Sequence, residues 1–209
     1  MASEPSIFWS GDGAAGIIAG IPVPSAVGRL EVAEPMFNGP SGRTLDSHYL
    51  VPLGLSRSAA WLCDLLPESR LNVNQCKAIA EHYLPWVARG ILPAVDISAA
   101  KPPIELADEH RRHAIMDEIT ASGADILVTL GNPVLEQFVG PMGLGHSALR
   151  TFGCTPDAYG RLHPITVAGR AMRLLPLAHP RQAGALGKNS EWWGGLHATW
   201  MRDVAGRLL

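Results

Sequence analysis

Four short apolar runs mark this chain: SIFW at 6–9, AAWLC at 59–63, DILVTL at 125–130 and RLLPLA at 173–178. The stretches between them carry apolar residues at helical spacing. Runs of this length, bounded by Gly, Pro and Asn, are strand signals. Strands that alternate with helices bury both faces of a sheet under helical layers. The expected fold is α/β: a three-layer α/β/α sandwich around a central, mainly parallel four-stranded sheet. One domain over residues 1–209 is expected to hold it.

The clearest helix is predicted over LADEHRRHAIMDEITASG, 106–123, where the apolar period is helical and Gly123 is a stop signal. Helices are also expected over SGRTLDSHYLVPLG, 41–54, with Ser41 as a capping residue, and over NVNQCKAIAEHYLPWVAR, 72–89, capped by Asn72 or Asn74. A last helix is expected in 190–209 despite Gly194-Gly195. HPITVAGRAMRLLPLAHP, 163–180, reads as a hairpin whose second arm is the RLLPLA strand. Residues 15–42 are rich in Gly and Pro, and Pro22 and Pro24 limit them to a long connection with at most a helical turn.

Composition narrows the function classes. The chain is 47% apolar and 17% charged, which suits a packed core and not a disordered segment. Its formal charge is −2, so any contact with nucleic acid has to rely on a local patch. Three cysteines, Cys63, Cys76 and Cys154, without a C-x-x-C pair argue against a disulfide framework and a Cys-only metal site. MASEPS has no basic flank or apolar core of a secretory signal, and no apolar run reaches the length of a membrane span. A cytoplasmic location without a membrane partner is the expectation.

Open α/β sheets bind ligands outside the carboxyl ends of their strands. Those ends are Gly11-Asp12-Gly13, Asp64, Gly131-Asn132 and His179-Pro180. A core strand has no need of a histidine at its tip; the rim of a site does. GDGAAG, 11–16, also matches the dinucleotide fingerprint, with Glu31 and Glu34 near the acidic position. Pro22 and Pro24 follow too soon for the helix that motif requires, so a glycine turn that lets the backbone approach a ligand is the preferred reading. His48, Cys63 and His82 lack ligand spacing, and His110 and His113 lie among charges on a solvated helix face. Trp192, Trp193 and Trp200, with His197, are expected in the core.

Read in order, these tips resemble the uracil-DNA glycosylase superfamily, in particular its family 4 branch, which usually carries an iron–sulfur cluster. MFNGPSGRTLD, 36–46, is similar to that branch's Pro-Phe-Val-Gly-x-x-Gly-x-x-Leu-Asp pattern at Phe37, Gly39, Gly42, Leu45 and Asp46. GDGAAG stands where the family has a Gly-Glu-x-Pro-Gly motif, and LVTLGNPVL where it has Ala-Leu-Gly before a helix. LPLAHPRQAG resembles the family's His-Pro strand end with the loop that enters the duplex. The likeness runs through nearly the whole chain.

The resemblance implies a monofunctional DNA glycosylase of base excision repair. It would flip uracil, or a related deaminated base, out of DNA and hydrolyse its N-glycosidic bond. Asp12 and His179 would be catalytic. Asp12 would stabilise the sugar cation or orient water, and neutral His179 would donate to the charge developing on a pyrimidine O2. Phe37 would stack on the base, with Gly11 and Gly13 offering backbone N–H groups and Asp64 reading its edge. Ser41, Gly131, Asn132, Pro180, Arg181 and Gln182 would contact DNA.

Two departures bear on substrate and cofactor. Three thiols cannot make a four-cysteine cluster, so no cofactor and no metal are expected. Asp64 stands where the family reads uracil with Asn, and an ionised carboxylate only accepts hydrogen bonds. Asn72 is the other candidate reader. The expected partner is DNA bearing uracil or another deaminated base, bound by a monomer. The alternatives are a non-catalytic DNA- or nucleobase-binding protein on the same fold, and a nucleotide-cofactor enzyme using GDGAAG.

Overall fold

The computed structural model describes residues 14–29, 40–66, 71, 73–98, 103–143, 148–184 and 189–209. They fall into two compact units, one of residues up to 37 together with 67–104, the other of 38–66 with 105–209. The SIFW run, with Gly11, Asp12, Gly13, Phe37 and Asn72, lies outside the described residues.

In the first unit, α1 (Ala14–Ala19) ends ahead of Pro22 and Pro24, which cannot continue it. The helical pattern of 72–89 forms as two pieces. α2 (Val73–His82) breaks at Tyr83, and α3 (Leu84–Ala88) restarts with Pro85 in its first turn. Arg89 covers the Trp86 ring with its guanidinium 4.7 Å from the centroid, and Tyr83 Oη donates to the Pro93 carbonyl at 3.2 Å.

In the second unit, α4 (Pro40–Leu45) runs into a widened turn, Asp46–Leu50, that buries Leu45, Tyr49 and Leu50. α5 (Glu109–Ser122) starts and stops on local signals. The Asp108 carboxylate accepts the Arg111 N–H at 2.8 Å, filling an open donor of the first turn, and the helix ends at Gly123. Ile115 and Ile119, one turn apart, form its buried stripe.

The sheet comprises β1 (Ile126–Leu130), β2 (His163–Val167) and β3 (Arg170–Leu177) in the order β1-β3-β2. β1 runs parallel to β3, pairing Ile126 with Arg173 and Leu130 with Leu177. β2 runs antiparallel to β3, from His163 opposite Leu174 to Val167 opposite Arg170. A two-residue turn joins the hairpin arms; Ala168 and Gly169 both have positive φ, at 49° and 78°, which matches the strand twist. Leu174, Leu175, Leu177 and Ala178 are all buried, as the central strand's continuous apolar run requires.

This corrects the expected four-stranded, mainly parallel sheet. Among the described residues the sheet has three strands and is mixed. The hairpin arm β2 occupies the edge of β3 where a further parallel strand would have paired. AAWLC does not form a strand either. A single 3₁₀ turn, Arg57–Ala59, takes up its first residue, and the following segment is tied to α5 by side chains. Arg111 donates to the Asp64 carbonyl, and the Trp61 indole, 60% exposed, reaches Glu118 at 3.5 Å. A short apolar run can be held in this way without a ladder, and its residue types do not distinguish the two cases.

After β1, α6 (Asn132–Val134) continues into a wide turn, Leu135–Val139. α7 (Leu149–Phe152) precedes the hairpin, and α8 (Pro180–Ala183) follows β3 directly. α9 (Ser190–Asp203) buries Leu196, His197 and Trp200. Gly194 has a packing reason inside this helix: a Cβ there would lie 3.3 Å from the Gln182 carbonyl oxygen, so a bare backbone lets α8 pack close.

Candidate functional site

Because β1 and β3 are parallel, their carboxyl ends lie at one edge of the sheet. Gly131 leaves β1 with φ 87° and ψ 173°, a conformation open essentially to glycine. Its N–H donates to the Leu177 carbonyl at 2.8 Å, extending the ladder by one bond. A Cβ at this position would stand 2.9 Å from the Cβ of His179. The two tips are therefore packed together, and the histidine occupies the space that a side chain at 131 would need.

His179 is also the N-cap of α8. Its backbone is extended, at φ −65° and ψ 145°, and its carbonyl accepts the N–H groups of Gln182 at 2.8 Å and Ala183 at 3.1 Å. Pro180, in the first helical position, has no N–H to satisfy. The remaining early donor, Arg181 N–H, reaches His179 Nδ1 at 3.2 Å. A nitrogen that accepts a hydrogen bond carries no proton, so this contact selects the tautomer protonated at Nε2. Burial, and secondarily the Arg181 charge, hold the ring's pKa below the ordinary histidine range. The result is a neutral imidazole with one N–H donor at Nε2.

The peptide groups just before His179 are fixed with equal care. Tyr49 Oη donates to the Ala178 carbonyl at 2.5 Å, and Ala178 N–H donates to Tyr159 Oη at 2.9 Å. Tyr159 Oη also contacts His197 Nδ1 at 2.8 Å, and His197 Nε2 contacts the His48 carbonyl at 2.8 Å. His197 is wholly buried and stacks at a tilt between Tyr49, 4.4 Å away, and Trp200, 4.9 Å away. Burial pushes its pKa down to about 4 and holds both phenols protonated, well above the usual tyrosine range. Trp200 Nε1 donates to the Gly160 carbonyl at 3.1 Å, tying α9 to the segment that carries Tyr159.

α4 lies beside α8: a Cβ on Gly184 would meet Thr44 Oγ1 at 3.3 Å and the Pro180 carbonyl at 3.2 Å. Arg57 braces α4 from below. It donates to both Asp46 oxygens, at 2.6 and 2.9 Å, and to the Gly42 carbonyl at 3.1 Å. Asp46, the last residue of the family-like pattern, is thus an anchor for the backbone of that segment.

Of the residues singled out in the sequence, Gly131, His179, Pro180, Arg181 and Gln182 come together at this edge. Ser41 lies within α4. Asn132 opens α6, where its Oδ1 accepts the Leu149 N–H at 2.9 Å and so serves to hold α7. Asp64 is exposed, and its carbonyl accepts from Arg111. Sequence reasoning did not find the roles of Tyr49, Tyr159 and His197. The available signal was a tyrosine inside an apolar stretch, since a buried phenol needs a partner for its hydroxyl.

Among the described residues no group of three or more His, Cys, Asp or Glu could hold a metal ion, and no helix is long and apolar enough to cross a membrane. No family model matches the chain, and no curated protein matches it.

Proposed function

We propose that the chain is a DNA glycosylase that removes uracil or a related deaminated base by hydrolysing its N-glycosidic bond, with His179 as the donor to the departing base. The observation that carries this reading is the tautomer of His179: Nδ1 is engaged by the Arg181 N–H, which leaves a neutral ring with its proton on Nε2. As the bond from the sugar to pyrimidine N1 breaks, its electron pair passes to the base and charge builds on O2. A pre-oriented N–H stabilises that charge without transferring a proton, and one such donor is commonly worth about 3–4 kcal/mol.

The surroundings support the same reading. Gly131 keeps the neighbouring tip free of a side chain, and Arg181, exposed beside the ring, offers a cation of the kind a phosphate backbone recruits. Asp12 and Phe37 enter through the family resemblance, as cation stabiliser or water-orienting base and as stacking surface. The test is release of free base from oligonucleotides carrying uracil, hypoxanthine, xanthine or a mismatched base, in single and double strands. Release of at least one base, lost on Asp12→Ala and on Phe37→Ala, is expected. Release from none of them would overturn the reading.

Asp64 favours a second reading, a nucleobase-binding protein that does not cut, because an acceptor-only side chain stands where the resemblance expects Asn. Retention of a modified-base oligonucleotide without release of its base would establish that alternative.

A further inference from the structure

We infer that Tyr159 and Tyr49 are positioning residues for His179: together they hold both peptide groups of Ala178 and thereby fix where the imidazole stands. The catalytic meaning of this assignment rests on the function proposed above; its geometry does not.

The need for such a device follows from the sheet. β2 pairs with β3 only as far as Leu174, opposite His163. On the other side, Gly131 N–H takes the Leu177 carbonyl. Successive residues of a strand present their backbone groups to opposite sides. Ala178 therefore turns its N–H and C=O toward the side that β2 does not reach. Both groups are buried, and buried peptide groups require partners. The hydroxyls of Tyr49 and Tyr159 take the place of the missing strand.

The direction of every bond in this network is determined. The His48 carbonyl can only accept, so His197 donates to it from Nε2. Neutral His197 then has a bare Nδ1, which accepts the one hydrogen of Tyr159 Oη. Tyr159 is left as acceptor for the Ala178 N–H. His48 directly precedes Tyr49, so the chain of bonds closes on the segment that supplies the second hydroxyl. The Ala178 peptide has one arrangement in this frame, and His179 is the next residue.

The experiment uses Tyr159→Phe and Tyr49→Phe, which keep the rings and remove the hydroxyls. Each is measured in the wild-type and His179→Ala backgrounds by single-turnover release of the base that the wild-type chain cleaves. Each is also measured by nitrogen-15 spectra of the His179 ring. We expect the single-turnover rate constant to fall by roughly 10- to 100-fold with the half-saturating enzyme concentration little changed, and the same substitution to add nothing once His179 is Ala. We expect the His179 ring to move from a single Nε2-protonated form toward a mixture. Losses that multiply with His179→Ala, or a ring spectrum identical to wild type in both variants, would overturn the assignment. Should Tyr159→Phe not fold, Tyr49→Phe carries both readings. Absence of base release by the wild-type chain refutes the proposed function, and the ring spectrum then decides the positioning role on its own.

Discussion

The Cα of Gly131 packs so tightly against the Cβ of His179 that only one of the two positions has room for a side chain: a Cβ on the glycine would stand 2.9 Å from the histidine Cβ. The relationship joins the ends of two parallel strands and keeps the histidine at the sheet edge. Gly131→Ala adds both a clash and an unfavourable backbone conformation, since φ there is 87°. Its expected cost is about 1–3 kcal/mol in urea unfolding, with a displaced His179 signal in the ring spectrum.

Stability should depend on pH through His197. Its folded pKa is pushed down to about 4 by burial, below the ordinary value of 6.5. Between those two values the unfolded chain binds more protons than the folded one, so stability rises with pH. The contribution is complete above about pH 6.5 and is lost as pH falls toward about 4. His179, also lowered by burial, acts with the same sign. Urea midpoints should show a loss of about 2 kcal/mol between pH 7 and pH 5, reduced in His197→Gln.

The Arg57–Asp46 fork is short, at 2.6 and 2.9 Å, but the Asp46 side chain is 44% exposed. Solvent screens such a pair, so Asp46→Asn should cost no more than about 1 kcal/mol. The larger consequence is expected in α4, which loses the brace between Arg57 and Gly42. Amide exchange in 40–45 should quicken while that in β3 stays unchanged.

Features with local causes were legible in the sequence. Asp108 and Gly123 mark the ends of α5 because a cap and a stop act within a turn of the chain. The run at the end of β3 was legible because burial on both faces leaves an uninterrupted apolar signature, and the hairpin because β2 alternates buried Ile165 and Val167 with exposed residues ahead of a two-residue turn. AAWLC misled because five apolar residues say nothing about whether a ladder partner exists, and here Arg111 and Glu118 hold the segment instead. The histidine at a strand tip stood out in the sequence. The clamp behind it did not, because Tyr49 meets Ala178 across 129 positions of chain, and no local pattern encodes that meeting.

His179 performs two tasks that one substitution can separate. As N-cap it accepts the Arg181 N–H, which an asparagine side chain can also do. As donor it presents Nε2–H to the departing base. The most direct measurement is therefore the single-turnover rate of uracil release by His179→Asn beside its unfolding midpoint. The account predicts a midpoint close to wild type with a rate lower by about 100- to 1,000-fold. A folded His179→Asn protein that releases base at the wild-type rate would contradict it.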